Sequence, residues 1–203
     1  VWRQIESFSG YSFCKAHSAS FAAESFQSLY LKTYFPLEFM TAVINNFGGF
    51  YSTEQYIHEA RMCGAGIEPP CVNNSTYLTN IYGTTIYLGF IHIANLERKV
   101  ALAIVEERLR DGDYRSLRDF VNRIDISKEQ LEILIRIGAF RFTGMNKYEL
   151  MWEKNAVHNP LIKHMHCATF FDTETEEYNL PVLAETEHEQ AFDEIELLGF
   201  PLC

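Results

Sequence analysis

The sequence predicts a mainly α-helical protein with a small β-hairpin, and three observations carry that expectation. Apolar residues recur at three- and four-residue spacing through most of the chain. The periodic segments are bounded by capping residues, Gly and Pro. Only one stretch, Tyr77 to Phe90, is rich in β-branched and aromatic residues. Size and composition agree with this class: 203 residues, 47% hydrophobic and 22% charged, with 11 Gly and 6 Pro, lie in the ordinary globular range and suffice to bury a core.

Val1-Trp2-Arg3-Gln4-Ile5 reads as the interior of a helix, so the chain is expected to be a cut-out of something longer. From Lys15 to Phe35, Ala22, Phe26, Leu29 and Tyr30 recur at helical spacing, and Pro36 disfavours helix at the residue before it. Pro36 then suits the first position of a second helix carrying Leu37, Met40, Val43, Ile44 and Phe47, stopped by Gly48-Gly49. Ser52-Thr53-Glu54-Gln55 is a capping-box pattern opening a helix that runs to Gly64. Ile67-Glu68-Pro69-Pro70 and Asn73-Asn74-Ser75 read as loop leading into the β-rich stretch, where Gly83-Thr84 turns a hairpin. A helix from about Leu96 to Leu109 follows, with Asn95 as N-cap and Asp111-Gly112 as exit. Ser116 to Ile124 reads as a short helix. Ser127-Lys128-Glu129-Gln130 is a second capping box, opening a helix through Leu131, Leu134 and Ile135 that Gly138 ends. The last body helix covers Lys147 to Val157. Residues 158–190 read as an extended or partly ordered linker, and Ala191 to Gly199 regains an apolar face.

The formal net charge of −10 argues, taken whole, against a freestanding nucleic-acid binder, because phosphate affinity is mostly cationic neutralisation. Its position changes the reading. Residues 172–203 hold 10 acids and no Lys or Arg, leaving the rest of the chain neutral, and residues 97–147 carry 11 bases against 9 acids. Five widely spaced cysteines without a Cys-x-x-Cys pair suit free thiols in a reducing, cytoplasmic compartment, which discounts the sequon Asn74-Ser75-Thr76. No apolar run approaches the ~18 residues that cross a bilayer. His158, His164, His166 and Cys167 match no structural zinc spacing and read as solvated side chains. Glu106-Glu107 and Asp111/Asp113 sit among arginines as a solvated helix face. Phosphate-cradling Walker and Rossmann patterns are missing from the sequence.

The most informative block runs from Phe8 to Ala22. A glycine-containing turn feeds a helix whose first turn holds Lys15, His17 and Ser18, so backbone amides, an ammonium and an imidazole meet at one helix N-terminus, which suits phosphate. His17 and Phe21, four apart, share a helix face on which a ring could pack against a base or sugar. An ordinary helix start with a solvated Lys and a core Phe fits the same spacing.

Gly10-Tyr11-x-Phe13-x-Lys15-x-His17-Ser18-Ala19, then Gln27, Tyr30-Leu31-Lys32 and Pro36-x-Glu38-Phe39-Met40, resembles the end of the fingers domain in the alpha subunit of bacterial DNA polymerase III, the C-family replicative polymerase. Glu59-Ala60-Arg61, Gly66-Ile67, Pro69-Pro70, Val72-Asn73, Gly89, Ala103-Ile104-Val105-Glu106-Glu107-Arg108, Phe120, Leu134-Ile135 and Gly138-Ala139-Phe140 continue it in order. The resemblance implies that residues 1–75 are the C-terminal part of the fingers, 76–157 a helix-hairpin-helix region, and 158–203 an acidic linker leading into the next domain. It implies that Lys15 meets the phosphates of a deoxynucleoside triphosphate and that His17 and Phe21 meet its sugar or base. It further implies template-directed DNA synthesis in a parent enzyme whose Mg2+ is held by palm carboxylates outside this segment, so that the chain is not catalytic alone. DNA, deoxynucleoside triphosphates and other replisome subunits, including the sliding clamp, are the implied partners, with no membrane.

Two departures stand out. The family usually has Asn before the Lys and Tyr four after the His, where this chain has Cys14 and Phe21; a ring remains but a hydroxyl is lost. The family's hairpin reads Gly-Val-Gly, letting backbone amides approach a DNA phosphate, and those positions here are Asn95-Leu96-Glu97. The hairpin fold is expected to remain with a weak duplex contact, Asn95, Arg98 and Lys99 being its DNA-facing candidates. A non-catalytic DNA-binding or scaffold module that keeps the fold is the alternative, and self-association of the isolated piece is a further expectation.

Overall fold

A computed structural model describes residues 1–9, 15–157, 183–184 and 186–202. The chain divides into two compact units, Val1–Gly64 and Ala65–Cys203.

The first unit is all helical: α1 (Trp2–Ser9), α2 (Lys15–Tyr34), α3 (Pro36–Asn45) and α4 (Thr53–Met62). Pro36 ends α2 and opens α3 as its first residue, as a ring with no N–H to lose does best there. Met40 and Ile44 of α3 and Ile57 and Ala60 of α4 are buried, one helical turn apart on each partner. Gln55 Oε1 accepts from the Ser52 amide at 3.2 Å, closing the expected capping box of α4. Between α3 and α4 the chain turns through Phe47 and Gly49, both at positive φ; a Cβ on Gly49 would fall 1.8 Å from the Tyr56 hydroxyl. Among the described residues of this unit, the periodic face of α2 is not an inner face. Phe26, Leu29 and Tyr30 are 72%, 64% and 50% exposed, because no element of the unit packs over them.

The second unit begins with a three-stranded sheet, β1 (Gly66–Glu68), β2 (Asn80–Tyr82) and β3 (Thr85–Tyr87), in the order β1-β3-β2. The expected hairpin is β2-β3, antiparallel, with Gly83 at φ +62 in its turn. β1 pairs parallel with β3, where the sequence suggested loop. The same Pro69 that forbids helix favours extended backbone at Glu68, and a neighbouring strand converts that preference into pairing. A single 3₁₀ turn, Phe90–His92, leads to α5 (Arg98–Asp111), α6 (Leu117–Arg123), α7 (Lys128–Arg136) and α8 (Lys147–Val157), and the unit closes with α9 (Glu187–Leu198).

The core draws on the 3₁₀ turn, the helices α5 to α9 and the loops between them: Phe90, Ile104, Tyr114, Leu117, Phe120, Leu131, Leu134, Phe140, Leu150 and Leu197. Tyr114, Phe120 and Phe140 meet edge to face at 4.9 and 5.0 Å between successive centroids. Ser116 and Ser127 cap α6 and α7, accepting from the Asp119 and Gln130 amides, the second as its capping pattern predicts. The segment expected to be acidic linker contributes α9, which docks on this core. Arg136 and Lys147 both meet the Asp193 carboxylate, at 2.6 and 2.8 Å, and Arg136 also pairs with Glu196. Among the described residues no helix is long and apolar enough to cross a membrane.

Candidate nucleic-acid interface

Two places hold the residues that the sequence singled out. The first is the start of α2, whose first residue is Lys15. His17 and Phe21 lie one turn apart on this helix with ring centroids 4.5 Å apart and planes at 80°, an edge-to-face pair, and Phe21 is 54% exposed. The i, i+4 spacing brings the rings together as expected, and leaves an aromatic surface open to solvent. Cys14 lies outside the described residues.

The second place is the hairpin between the Phe90–His92 turn and α5. Asn95 has φ +62, the left-handed region that glycine enters most freely and that Asn tolerates best among other residues. It therefore holds a left-handed turn without a glycine. Asn95 is not the N-cap of α5, as the sequence suggested; a residue in that conformation cannot present the extended backbone a cap requires, and the role passes to Glu97 (φ −65, ψ 129), whose side chain makes no capping bond.

The hairpin backbone is satisfied from inside the chain. The Gln130 side chain spans it: Oε1 accepts from the Glu97 amide at 2.7 Å and Nε2 donates to the Asn95 carbonyl at 2.8 Å. Gln130 is the N3 residue of α7 and was expected to reach back to Ser127; it reaches across to the hairpin instead, and only the Ser127 half of that capping box forms. On the other side the Ala94 amide donates to the Leu197 carbonyl of α9 at 2.7 Å. Arg98 stacks its guanidinium over Tyr77, 5.2 Å from the ring centroid, and Lys99 is exposed.

Beside the hairpin lies a cleft of about 710 Å3 whose charged lining is Glu97, Lys99, Glu106, Glu107, Arg110, Arg123 and Asp125. Glu107, only 8% exposed, holds Arg110 at 2.5 Å and Arg123 at 3.5 Å, so both arginines of the cleft are already engaged. Arg123 also lies over the Tyr114 ring at 4.4 Å and donates to the Gly112 and Glu107 carbonyls. Burial pushes the Tyr114 phenol up to about 12, and its hydroxyl donates to the Ile104 carbonyl, tying the loop between α5 and α6 back onto α5. No group of three or more His, Cys, Asp or Glu side chains among the described residues is placed to hold a metal ion, and the His158-to-Cys167 cluster lies outside them.

Gln130 is the residue that sequence reasoning missed. Its partners are 33 and 35 positions away, and the local capping pattern supplied a sufficient reason for a Gln.

Comparison with known proteins agrees with this geometry. A family profile described as a helix-hairpin-helix motif matches residues 64–150. The chain is 35% identical over 148 residues to a DNA polymerase III subunit alpha from Thermus aquaticus, covering 71% of this chain and 12% of that protein. An error-prone DNA polymerase from Vibrio parahaemolyticus is 35% identical over 158 residues, 75% of this chain and 15% of the relative. The match to the DNA polymerase III subunit alpha of Treponema pallidum, at 30% identity, extends over 95% of this chain and 18% of the relative. The chain thus spans less than a fifth of the curated relatives it matches. With the helix-hairpin-helix match in place and similarity running through most of the chain, this chain is similar, as one segment, to bacterial DNA polymerase III alpha subunits and error-prone DNA polymerases.

Proposed function

We propose that this chain is a non-catalytic part of a DNA-directed DNA polymerase, contributing to nucleotide and DNA positioning during replication in the cytoplasm. The observation that carries the reading is the match over almost the whole chain to a DNA polymerase III alpha subunit, with a helix-hairpin-helix at the expected place. Residues 1–75 act as the end of the fingers. Lys15, at the positive end of the α2 dipole, holds the triphosphate of an incoming deoxynucleotide, and the exposed His17–Phe21 pair packs against its sugar or base. Phe21 offers area without a hydroxyl, so it orients by packing alone. Mg2+ supplies charge neutralisation at the reacting phosphate in this chemistry, but the described residues offer no carboxylate cluster for it, and no chemical step is assigned to them.

The test is primer extension by the complete natural polypeptide. Mg2+-dependent extension is expected, and Lys15→Ala is expected to raise the KM for deoxynucleotides by about tenfold or more, the cost of one charge-assisted phosphate contact. A complete polypeptide that extends no primer overturns the polymerase reading. A second reading, a scaffold or DNA-binding module that has left polymerase chemistry, is favoured by the occupied hairpin backbone, and predicts that negative result.

A further inference from the structure

A helix-hairpin-helix turn that holds a phosphate does so with main-chain N–H groups just before and at the start of its second helix, where amides point outward and the helix dipole favours an anion. In this chain the Glu97 amide occupies that position, and its acceptor is the Gln130 carboxamide at 2.7 Å. The contact is not a glancing one. The other end of the same carboxamide donates to Asn95 at 2.8 Å, so the turn from 95 to 97 is gripped at two points by one planar group. Gln130 is 8% exposed and stands in the first turn of α7, which Ser127 caps. A phosphate oxygen reaching for the Glu97 amide must first displace a buried carbonyl that has no other donor in the hairpin. The Ala94 amide is taken at 2.7 Å by Leu197, whose position at the carbonyl end of α9 sets the negative end of a helix dipole against the turn.

We propose that Gln130 is a built-in occupant of the hairpin's phosphate position, and that this side chain, more than the Glu97 charge, makes the hairpin refuse duplex DNA. The inference rests on reading residues 93–100 as a DNA-facing hairpin. Asn95 preserves the turn and Gln130 fills it, so the element survives as a packing unit between α5, α7 and α9 while its outward backbone chemistry is switched off.

The experiment is a double-variant cycle on the whole 203-residue chain, using fluorescence anisotropy with a short labelled DNA duplex at low and at about 150 mM salt, and amide hydrogen exchange at Glu97. Gln130→Leu keeps side-chain bulk and removes both hydrogen bonds; Glu97→Gln removes the charge and leaves the clamp. Expected are little or no duplex binding by the wild type, less than about threefold gain for Glu97→Gln, at least about tenfold for Gln130→Leu, and more for the double variant, with a salt slope that rises in step. The Glu97 amide should be protected in the wild type and in Glu97→Gln, and exchange freely in Gln130→Leu. Binding by the double variant no tighter than by Glu97→Gln, with the Glu97 amide freed, overturns the proposal; so does wild-type affinity equal to that of Gln130→Leu. If Gln130→Leu does not fold, Gln130→Met makes the same comparison with an unbranched chain, and rapid exchange of the Glu97 amide in the wild type is by itself enough to reject the clamp. A negative primer-extension result leaves this cycle readable, because it uses only this chain and duplex DNA.

Discussion

Gly89 lacks a side chain because none fits: a Cβ there would lie 2.3 Å from the Leu78 carbonyl carbon and 2.5 Å from the Thr79 nitrogen. Its amide donates to the Thr79 hydroxyl at 3.1 Å, and that hydroxyl meets the His92 Nε2 at 2.9 Å. Burial lowers the His92 imidazole from its usual range to about 4, since the charged form would lose its water. The unfolded chain takes up this proton near pH 6.5 and the folded chain only near 4, so between those values the unfolded state binds more protons. Stability should therefore fall as pH drops from 6.5 to 4 and level off below. Urea unfolding across that range checks it, with His92→Gln, which cannot titrate, expected to flatten the curve. How legible single residues were in the sequence depended on whether their reason was local. Pro36, Ser52 and Gly83 act through their immediate neighbours and were read correctly. Asn95 was recognised as a turn residue but given the wrong turn role, because a cap and a left-handed residue draw on the same amino acids. Gln130 was read through Ser127, three residues away, when its partners lie on another element.

Among the elements, α9 shows how an acidic stretch acquires structure. Thr186 and Glu189 form a capping box at its start, with the Thr186 amide donating to Glu189 at 3.0 Å. Acids in the first turn face the positive end of the helix dipole. Its docking depends on Asp193, 8% exposed, between Arg136 and Lys147, and the Arg136 bond holds the Glu196 carboxyl below its ordinary range. Asp193→Asn keeps the shape and removes the charge that Arg136 and Lys147 share, so it should destabilise the second unit by about 1–3 kcal/mol, read as a shift in the urea midpoint at unchanged slope. An unshifted midpoint would mean that the helix is seated by its remaining contacts and not by the Asp193 charge. From sequence, the apolar face of 191–199 was visible but its destination was not, because nothing local distinguishes a helix that returns to its own core from one that opens another domain. The β1 strand was missed for a related reason: three residues carry no periodicity, and only pairing with β3 makes them a strand.

At the scale of the molecule, apolar burial is uneven between the two units. In residues 1–64 the buried apolar side chains are Met40, Ile44, Ile57 and Ala60, whereas the second unit has a continuous core from Val72 to Leu197. Trp2, Phe26 and Phe50 are 78%, 72% and 96% exposed. Backbone amides in α2 should accordingly exchange at least about a hundredfold faster than those of α5 and α7, a difference that hydrogen exchange followed by mass spectrometry resolves; equal protection would show that α2 is stabilised by something other than the contacts of this chain. The charge distribution also gains meaning at this scale. Residues 97–147 have a surplus of two bases, and two of their cations, Arg136 and Lys147, answer to Asp193 and Glu196 from the acidic end of the chain. The sequence places both charges correctly but not their meeting, so a basic surplus that looked available to phosphate is consumed in holding α9.

The bond from Ala94 to Leu197 joins residues about a hundred positions apart. A ribosome delivers the turn long before it delivers the carbonyl that completes it, and Gln130 arrives in between. The hairpin therefore matures in stages: the left-handed bend at Asn95 is available at once, the carboxamide clamp follows when α7 winds, and the last amide waits for α9. Until then an exposed N–H stands beside unburied apolar surface of α5 and α7, which makes the interval before α9 docks the period in which this segment is most open to a chaperone or to mispairing.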